Sequence, residues 1–223
     1  MSIDKLVELI LRPRKPEWAK KHQEILEGFF GAGKGRCPAD AKKSVKLRVP
    51  EDIDVPYAAY IHPMNPDSGA YGRTSLVFFP PEGWERPCLI GMVVGTQGLS
   101  PDEGVLSRPG HARKTRAICA WLNRRQRGSA WAKQDPTRVD LNLPSEVASR
   151  WPEMKAAFNR YGREMYAVFR PASSEDVELT RDAVLAFLDL LMEERGYPVL
   201  RAGSESTERI RSQWFAHILY TSG

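Results

Sequence analysis

Nine Lys or Arg residues lie between positions 108 and 138 (Arg108, Arg113, Lys114, Arg116, Arg124, Arg125, Arg127, Lys133 and Arg138) against a single acid, Asp135. A positive field focused in this way attracts polyanions, of which nucleic acid is the commonest in a cytoplasm. The rest of the chain does not share the excess. Residues 139–223 hold 10 Lys or Arg against 13 Asp or Glu, in a chain whose net charge is +5. Within "SRPGHARKTR", Arg108, His111, Arg113 and Lys114 sit at the expected start of a helix. There the free amides and the helix dipole would join the side chains in gripping a phosphate, and would disfavour protonation of His111. A solvated helix face, or a surface that docks an acidic protein, would show the same charges.

A second stretch, "GFFGAGKGR" (28–36), places Gly28, Gly33 and Lys34 on the spacing of a phosphate loop. A working loop needs a strand before it, a helix directly after it, and a Ser or Thr hydroxyl for magnesium. Here the stretch comes after a helical pattern, Gly35 stands at the hydroxyl position, and Pro38 disfavours an immediate long helix. It therefore reads as a helix end and a glycine-rich turn, with Phe29 and Phe30 packing that end on the core and Lys34 and Arg36 adding to a basic surface. Gly91, Gly95 and Gly98 in "GMVVGTQGLSPDEG" come after a strand pattern but lack the G-x-G-x-x-G spacing of a dinucleotide site.

The catalytic inventory is thin. His22, His62, His111 and His217 show no metal-ligand spacing, and no cofactor is expected. "SGAYG" is not a nucleophile elbow. Asp140, Glu153 and Lys155 imitate a D…E-x-K nuclease pattern, but Glu153 and Lys155 fall in a helical stretch, where alternate residues do not share a face. One enzymatic reading remains: a small enzyme acting on a phosphorylated or nucleic-acid substrate through Asp102, Glu103 and His111. Among the aromatics, Tyr71 and Trp84 lie in loops and are the candidates for stacking on a base, with Asn65, Asp67, Arg73 and Gln97 supplying hydrogen-bonding groups nearby.

The elements that must position these groups are set by periodicity and turn chemistry. Ile3, Leu6, Val7 and Ile10 give residues 2–11 a helical face, which "RPRKP" ends. A second helix is expected from Pro16 to about Glu27. Strands are expected at 45–49, 57–62, 74–79, 88–94 and 164–171, and 129–143 reads as loop or edge strand. Their close spacing, with Pro- and Gly-rich turns between them, favours an antiparallel meander. Helices are expected over 110–127, from Pro144 to Gly162, over 173–196 with Ser173 or Ser174 as cap, and over 204–218. The sum is an α+β fold: a mostly antiparallel sheet of four to five strands flanked by helices. It forms either one unit or a helical arm (1–40) followed by an α+β domain (41–223).

Cys37, Cys88 and Cys119 are far apart and form no CxxC, which points to a reducing cytoplasm. No apolar run approaches the ~20 residues of a membrane span, and the N-terminal stretch reads as an amphipathic helix, so no membrane partner is expected.

The middle segment "SGAYGRTSLVFFPPEGWERPCLIGMVVGTQGL" resembles the N-terminal recognition domains of McrB-type AAA+ restriction ATPases. The pieces that carry the likeness are the glycine-rich turn Gly69–Arg73, the strand Leu76–Phe79, and the "QG" turn within Gly95–Leu99. The resemblance covers about 30 residues and leaves the basic helix unmatched. It implies a DNA-recognition module, working with an AAA+ or nuclease partner in restriction or antiviral defence, and it transfers no base-contacting residue. On the basic segment and the loops together, the expectation is a non-catalytic nucleic-acid-binding module, DNA foremost. Its contacts would come from Arg73, Gln97, Arg108, His111, Arg113, Lys114, Arg116, Arg124, Arg125 and Arg127.

Overall fold

The N-terminal helix forms because four apolar residues recur at helical spacing, and it is buried because that stripe needs a partner. In the computed structural model, which describes residues 2–29, 39–50, 53–67, 69, 71–95 and 110–196, this helix is α1 (Ser2–Leu11). Pro16 sits in a short 3-10 turn before α2 (Trp18–Phe29), as its fixed φ favours. Next come strands β1 (Lys46–Arg48), β2 (Ala58–Ile61), β3 (Thr74–Phe79) and β4 (Leu89–Val94). After them come helix α3 (His111–Arg125) and strand β5 (Ala130–Ala132). The chain continues through helices α4 (Ser145–Ala148) and α5 (Lys155–Tyr161), strand β6 (Met165–Phe169) and helix α6 (Val177–Glu194).

The six strands form one sheet in the order β1-β2-β3-β4-β6-β5, and every neighbouring pair is antiparallel. That is one or two strands more than expected, because the short segments β1 and β5 both pair as edges. Strand alternation gives the sheet two apolar faces. Tyr60, Leu76, Phe78, Ile90, Met92 and Phe169 share a core with α1, α2, α3 and α6. Ala59, Ile61, Val77, Phe79, Leu89 and Val168 share a second core with Val147, Trp151, Met154 and Phe158. Between Met92 and Val93 the β4–β6 register slips, leaving Tyr166 as a bulged extra residue.

Helix α6 is buried on nearly every side and holds the helical layer together. Its consecutive residues Arg181 and Asp182 pin both neighbours: Arg181 reaches Asp4 of α1 at 2.6 Å, and Asp182 accepts from Arg125 of α3. The start of β4 is tied to the end of α1 by the Cys88 amide, which donates to the Ile10 carbonyl at 2.8 Å.

Two expected helices are corrected. The single helix from Pro144 to Gly162 is broken. Pro152 has no N–H to continue it, Trp151 leaves the helical region at φ −134° and ψ 69°, and the segment becomes α4, a 3-10 turn and α5. Helix α6 begins at Val177 rather than at 173–174. Asp176 stands before it and accepts from the Ser173 amide at 2.9 Å, while the Ser173 hydroxyl accepts from the Glu175 amide, so the serines build the preceding turn. The phosphate-loop imitation from position 30 on, the 96–109 loop and the expected helix at 204–218 lie outside the described residues. Among the described residues, no helix is long and apolar enough to cross a membrane.

Candidate nucleic-acid interface

Helix α3 sorts its residues by helical geometry. Thr115, Ile118, Cys119, Trp121 and Leu122 face the core, while Arg113, Arg116 and Arg124 lie at i, i+3 and i+11 on the opposite side; Arg127 follows the helix end, after the extended Gln126. From Arg113 to Arg124 this row spans roughly 16 Å at the helical rise per residue. All four arginines are exposed, and none forms a salt bridge to a carboxylate among the described residues. The guanidinium of Arg116 donates to the neutral amide of Gln134.

The remaining basic residues of α3 are structural. Lys114 pairs with Glu193 at 2.9 Å. Arg125 pairs with the buried Asp182 and lies 5.3 Å over the Trp121 ring. His111 faces inward, with Nε2 at 3.1 Å from the Tyr166 hydroxyl. Burial, with a smaller contribution from the Lys114 charge, lowers its pKa to about 4. The imidazole is thus neutral, as the sequence implies, but because it is desolvated, and it does not join the outer arginines. Lys133, also in the basic segment, is buried and donates to the carbonyls of Arg138 (2.9 Å) and Arg163. Arg108 and Gln97 lie outside the described residues.

On the opposite face of the sheet, helices α4 and α5 leave β2 and β3 partly uncovered. The gap is a pocket of about 390 Å3, within the range of small-molecule sites. Ala59, Ser75 and Val77 belong to its floor, and these small side chains give it depth. Tyr57, Tyr71 and Tyr161 wall it. The Tyr57 ring meets Tyr161 edge-on at 5.9 Å, and the Tyr57 and Tyr71 hydroxyls are 3.3 Å apart. Burial and the Tyr71 hydroxyl hold the Tyr57 pKa well above the ordinary tyrosine value, so it stays a neutral hydrogen-bonding group. Arg48, Arg160 and Glu164 line the same pocket, and Arg160 lies over the Tyr161 ring at 5.6 Å.

The loop that presents Tyr71 is rigidly held. Both amide atoms of buried Asn65 bond the backbone of Gly72, at 2.9 and 3.1 Å. The Gly95 amide donates to the Arg73 carbonyl at 2.8 Å. A Cβ at Gly95 would lie 1.9 Å from the Tyr71 carbonyl oxygen, so only glycine fits there. Asn65 therefore builds the loop rather than facing a ligand, and Asp67 pairs with Lys46 at 2.6 Å. Arg73 is exposed on the same loop, with φ +62°. Trp84 lies elsewhere. It lines a neighbouring groove of about 670 Å3, which shares Pro50 and Ile53 with the tyrosine pocket, beside Pro16, Trp18 and Pro81, and meets Trp18 edge-on at 5.5 Å.

The structure thus groups Arg113, Arg116 and Arg124 in one row on α3, leaves Arg127 exposed past its end, and places Tyr71 in a pocket on the other face. It does not bring Trp84 or His111 to either. Asp140, Glu153 and Lys155 do not act together: Asp140 pairs with Arg138, and Glu153 is held by Arg170 at 2.7 Å and Arg86 at 3.1 Å. Among the described residues, no group of three or more His, Cys, Asp or Glu could hold a metal ion. Sequence reasoning missed Arg48, Arg160, Tyr161 and Glu164, which reach the pocket from different elements. A usable signal was the pair of small residues Ala59 in β2 and Ser75 in β3, which marks a depression in a sheet face. Compared with protein-family models, curated proteins and solved structures, the chain matches none of them.

Proposed function

We propose that this chain is a non-catalytic nucleic-acid recognition module, with DNA as its foremost ligand. The observation that carries this reading is the row of Arg113, Arg116 and Arg124 along one side of α3, with Arg127 beyond its end, all exposed and free of salt-bridged carboxylates among the described residues. Arginines arranged in this way hold phosphates and position a strand without reading its sequence. The tyrosine pocket, on the opposite face of the sheet from α3, is a second and separate surface, a concave aromatic one on which an unstacked base can rest. The resemblance of the 68–99 segment to McrB-type domains supports placing the module beside an AAA+ or nuclease partner in restriction or defence.

The test is the salt dependence of binding to duplex and single-stranded DNA. Four phosphate contacts predict a log–log slope of about −3 to −4, and replacing Arg113 and Arg124 by glutamate should reduce that slope. A flat dependence, or no binding to either form, overturns the reading.

A further inference from the structure

The strongest unassigned chemistry is the carboxylate of Glu164 in the tyrosine pocket. Its backbone is fixed from both sides: the amide donates to the Tyr161 carbonyl at 3.1 Å, and the carbonyl accepts from the Val94 amide at 2.9 Å. Its side chain lines the pocket beside Tyr161. Its Oε2 is shielded from solvent, yet among the described residues no donor reaches it. A shielded acceptor without a donor is costly, and a ligand N–H that reaches it removes the cost. The terminal torsion of Glu is broad, so both oxygens can turn to the cavity.

Arg48 lines the same pocket from β1, and its Nε is likewise shielded and without an acceptor. Four strand spacings separate β1 from β6 in the sheet, roughly 19 Å between backbones, which the two inward-reaching side chains shorten. A cation and an anion therefore line one tyrosine-walled slot from strands at separate places in the sheet, with Arg160 and the Lys46-paired Asp67 also in its lining. A flat ring with a phosphate on one side and hydrogen-bond donors on the other meets complementary groups at both ends.

Carboxylate geometry narrows the ring further. Two oxygens accept best from two adjacent N–H donors. Guanine presents N1–H and the N2 amino group side by side on its Watson–Crick edge. Adenine and cytosine place a ring acceptor next to their amino group, which repels a carboxylate. Thymine and uracil flank their single N–H with two carbonyls. We propose that this pocket selects a guanine base, with Glu164 accepting from N1–H and N2–H, the tyrosines contacting its ring, and Arg48 holding the attached phosphate. This inference rests on the nucleic-acid reading above for its polymer form. The same chemistry is offered by a free guanine nucleotide.

The experiment measures binding of the full chain to a short oligothymidylate strand carrying one central dG, dA, dC or dT, and to GMP and AMP alone. Ring-proton shifts of the tyrosines report occupancy of the pocket. The dG strand is expected to bind about tenfold or more tighter than the others, as one good bidentate pair provides. The Glu164→Gln variant, which offers one acceptor and one donor, should lose that preference, so that its dG strand binds no tighter than the other three. Its melting temperature serves as the folding control, and Tyr71→Ala is the second variant should it fail to fold. A GMP-over-AMP preference of similar size, also abolished by Glu164→Gln, assigns the site to free nucleotides as well as strands; a preference seen only in strands assigns it to nucleic acid. Equal affinity for all four strands and both nucleotides, or a dG preference that survives Glu164→Gln, overturns the proposal. Salt-sensitive strand binding with no base preference sinks the guanine pocket and leaves the module reading intact. GMP selectivity without strand binding does the reverse.

Discussion

The two faces of the sheet carry similar apolar residues and have opposite fates. One is closed by α1, α2, α3 and α6, and its large side chains Tyr60, Phe78 and Phe169 are almost fully buried. Among the described residues, the helices over the other face are the short α4 and α5, which Pro152 separates, and a pocket remains over β2 and β3. The closed face stores stability. The open face gives up some burial to keep a concave aromatic surface. Polar groups divide in the same way. On the closed side His22, Trp18 Nε1 and the Tyr60 hydroxyl are buried without hydrogen-bond partners among the described residues, and their rings lie against Phe78 or each other. On the open side Glu164 and Arg48 line a cavity that a ligand can fill.

This contrast can be broken experimentally, starting with the closed face. Phe78→Ala should cost about 3–5 kcal/mol of stability, read from the urea midpoint. A cost under ~1 kcal/mol would mean that the two faces are not energetically distinct. Next comes acid sensitivity. Burial lowers the His22 pKa to about 3, from the ordinary histidine value of 6.5 that the unfolded chain keeps. The unfolded state therefore binds the extra proton first. The stability contributed by neutral His22 is complete above about pH 6.5 and is lost progressively as pH falls toward about 3. Equilibrium unfolding across that range should show the loss, and His22→Leu should flatten it at little cost near neutral pH, because both ring nitrogens lack partners among the described residues.

The two kinds of arginine on α3 give the third test. Arg125→Ala leaves buried Asp182 without its guanidinium and should cost about 1–3 kcal/mol. Arg124→Glu, one residue earlier, should change stability by under ~0.5 kcal/mol and weaken DNA binding instead. If thermal melts show the two variants equally destabilised, the division of α3 into structural and outward arginines fails. The smallest effect belongs to the open face. Tyr71→Phe removes only a hydroxyl that lies 3.3 Å from that of Tyr57. It should leave the melting temperature within error, and a drop as large as that of Phe78→Ala in the same thermal melts would erase the distinction between the faces.

The fold class is legible because its signals are local. The apolar, β-branched and aromatic runs "TSLVFF" and "CLIGMVV" and the helical stripe of α1 each depend on a few neighbouring residues, and the turns between the strands carry Pro and Gly. The departures are also local signals, outweighed by others. The helical pattern from Pro144 to Gly162 runs through Pro152, which ends a helix instead of continuing one. Ser173 has the right chemistry for a cap, yet Asp176 stands closer to the helix start. The arginine row on α3 is legible in part. Its charge is plain from composition and helical period sets Arg113, Arg116 and Arg124 on one side, but the partners that hold Lys114, Arg125 and His111, namely Glu193, Asp182 and Tyr166, come from elsewhere in the fold.

By itself the sequence determined an antiparallel α+β domain with one strongly basic helix, since strand period, helix period and charge run are properties of contiguous residues. The pocket was decided by tertiary structure alone. Tyr57 precedes β2, Tyr71 precedes β3, Tyr161 ends α5, Glu164 precedes β6 and Arg48 ends β1. No spacing along the chain relates them. They meet because the strand order and the gap left by a proline-broken helical layer set five separate chain positions around one cavity.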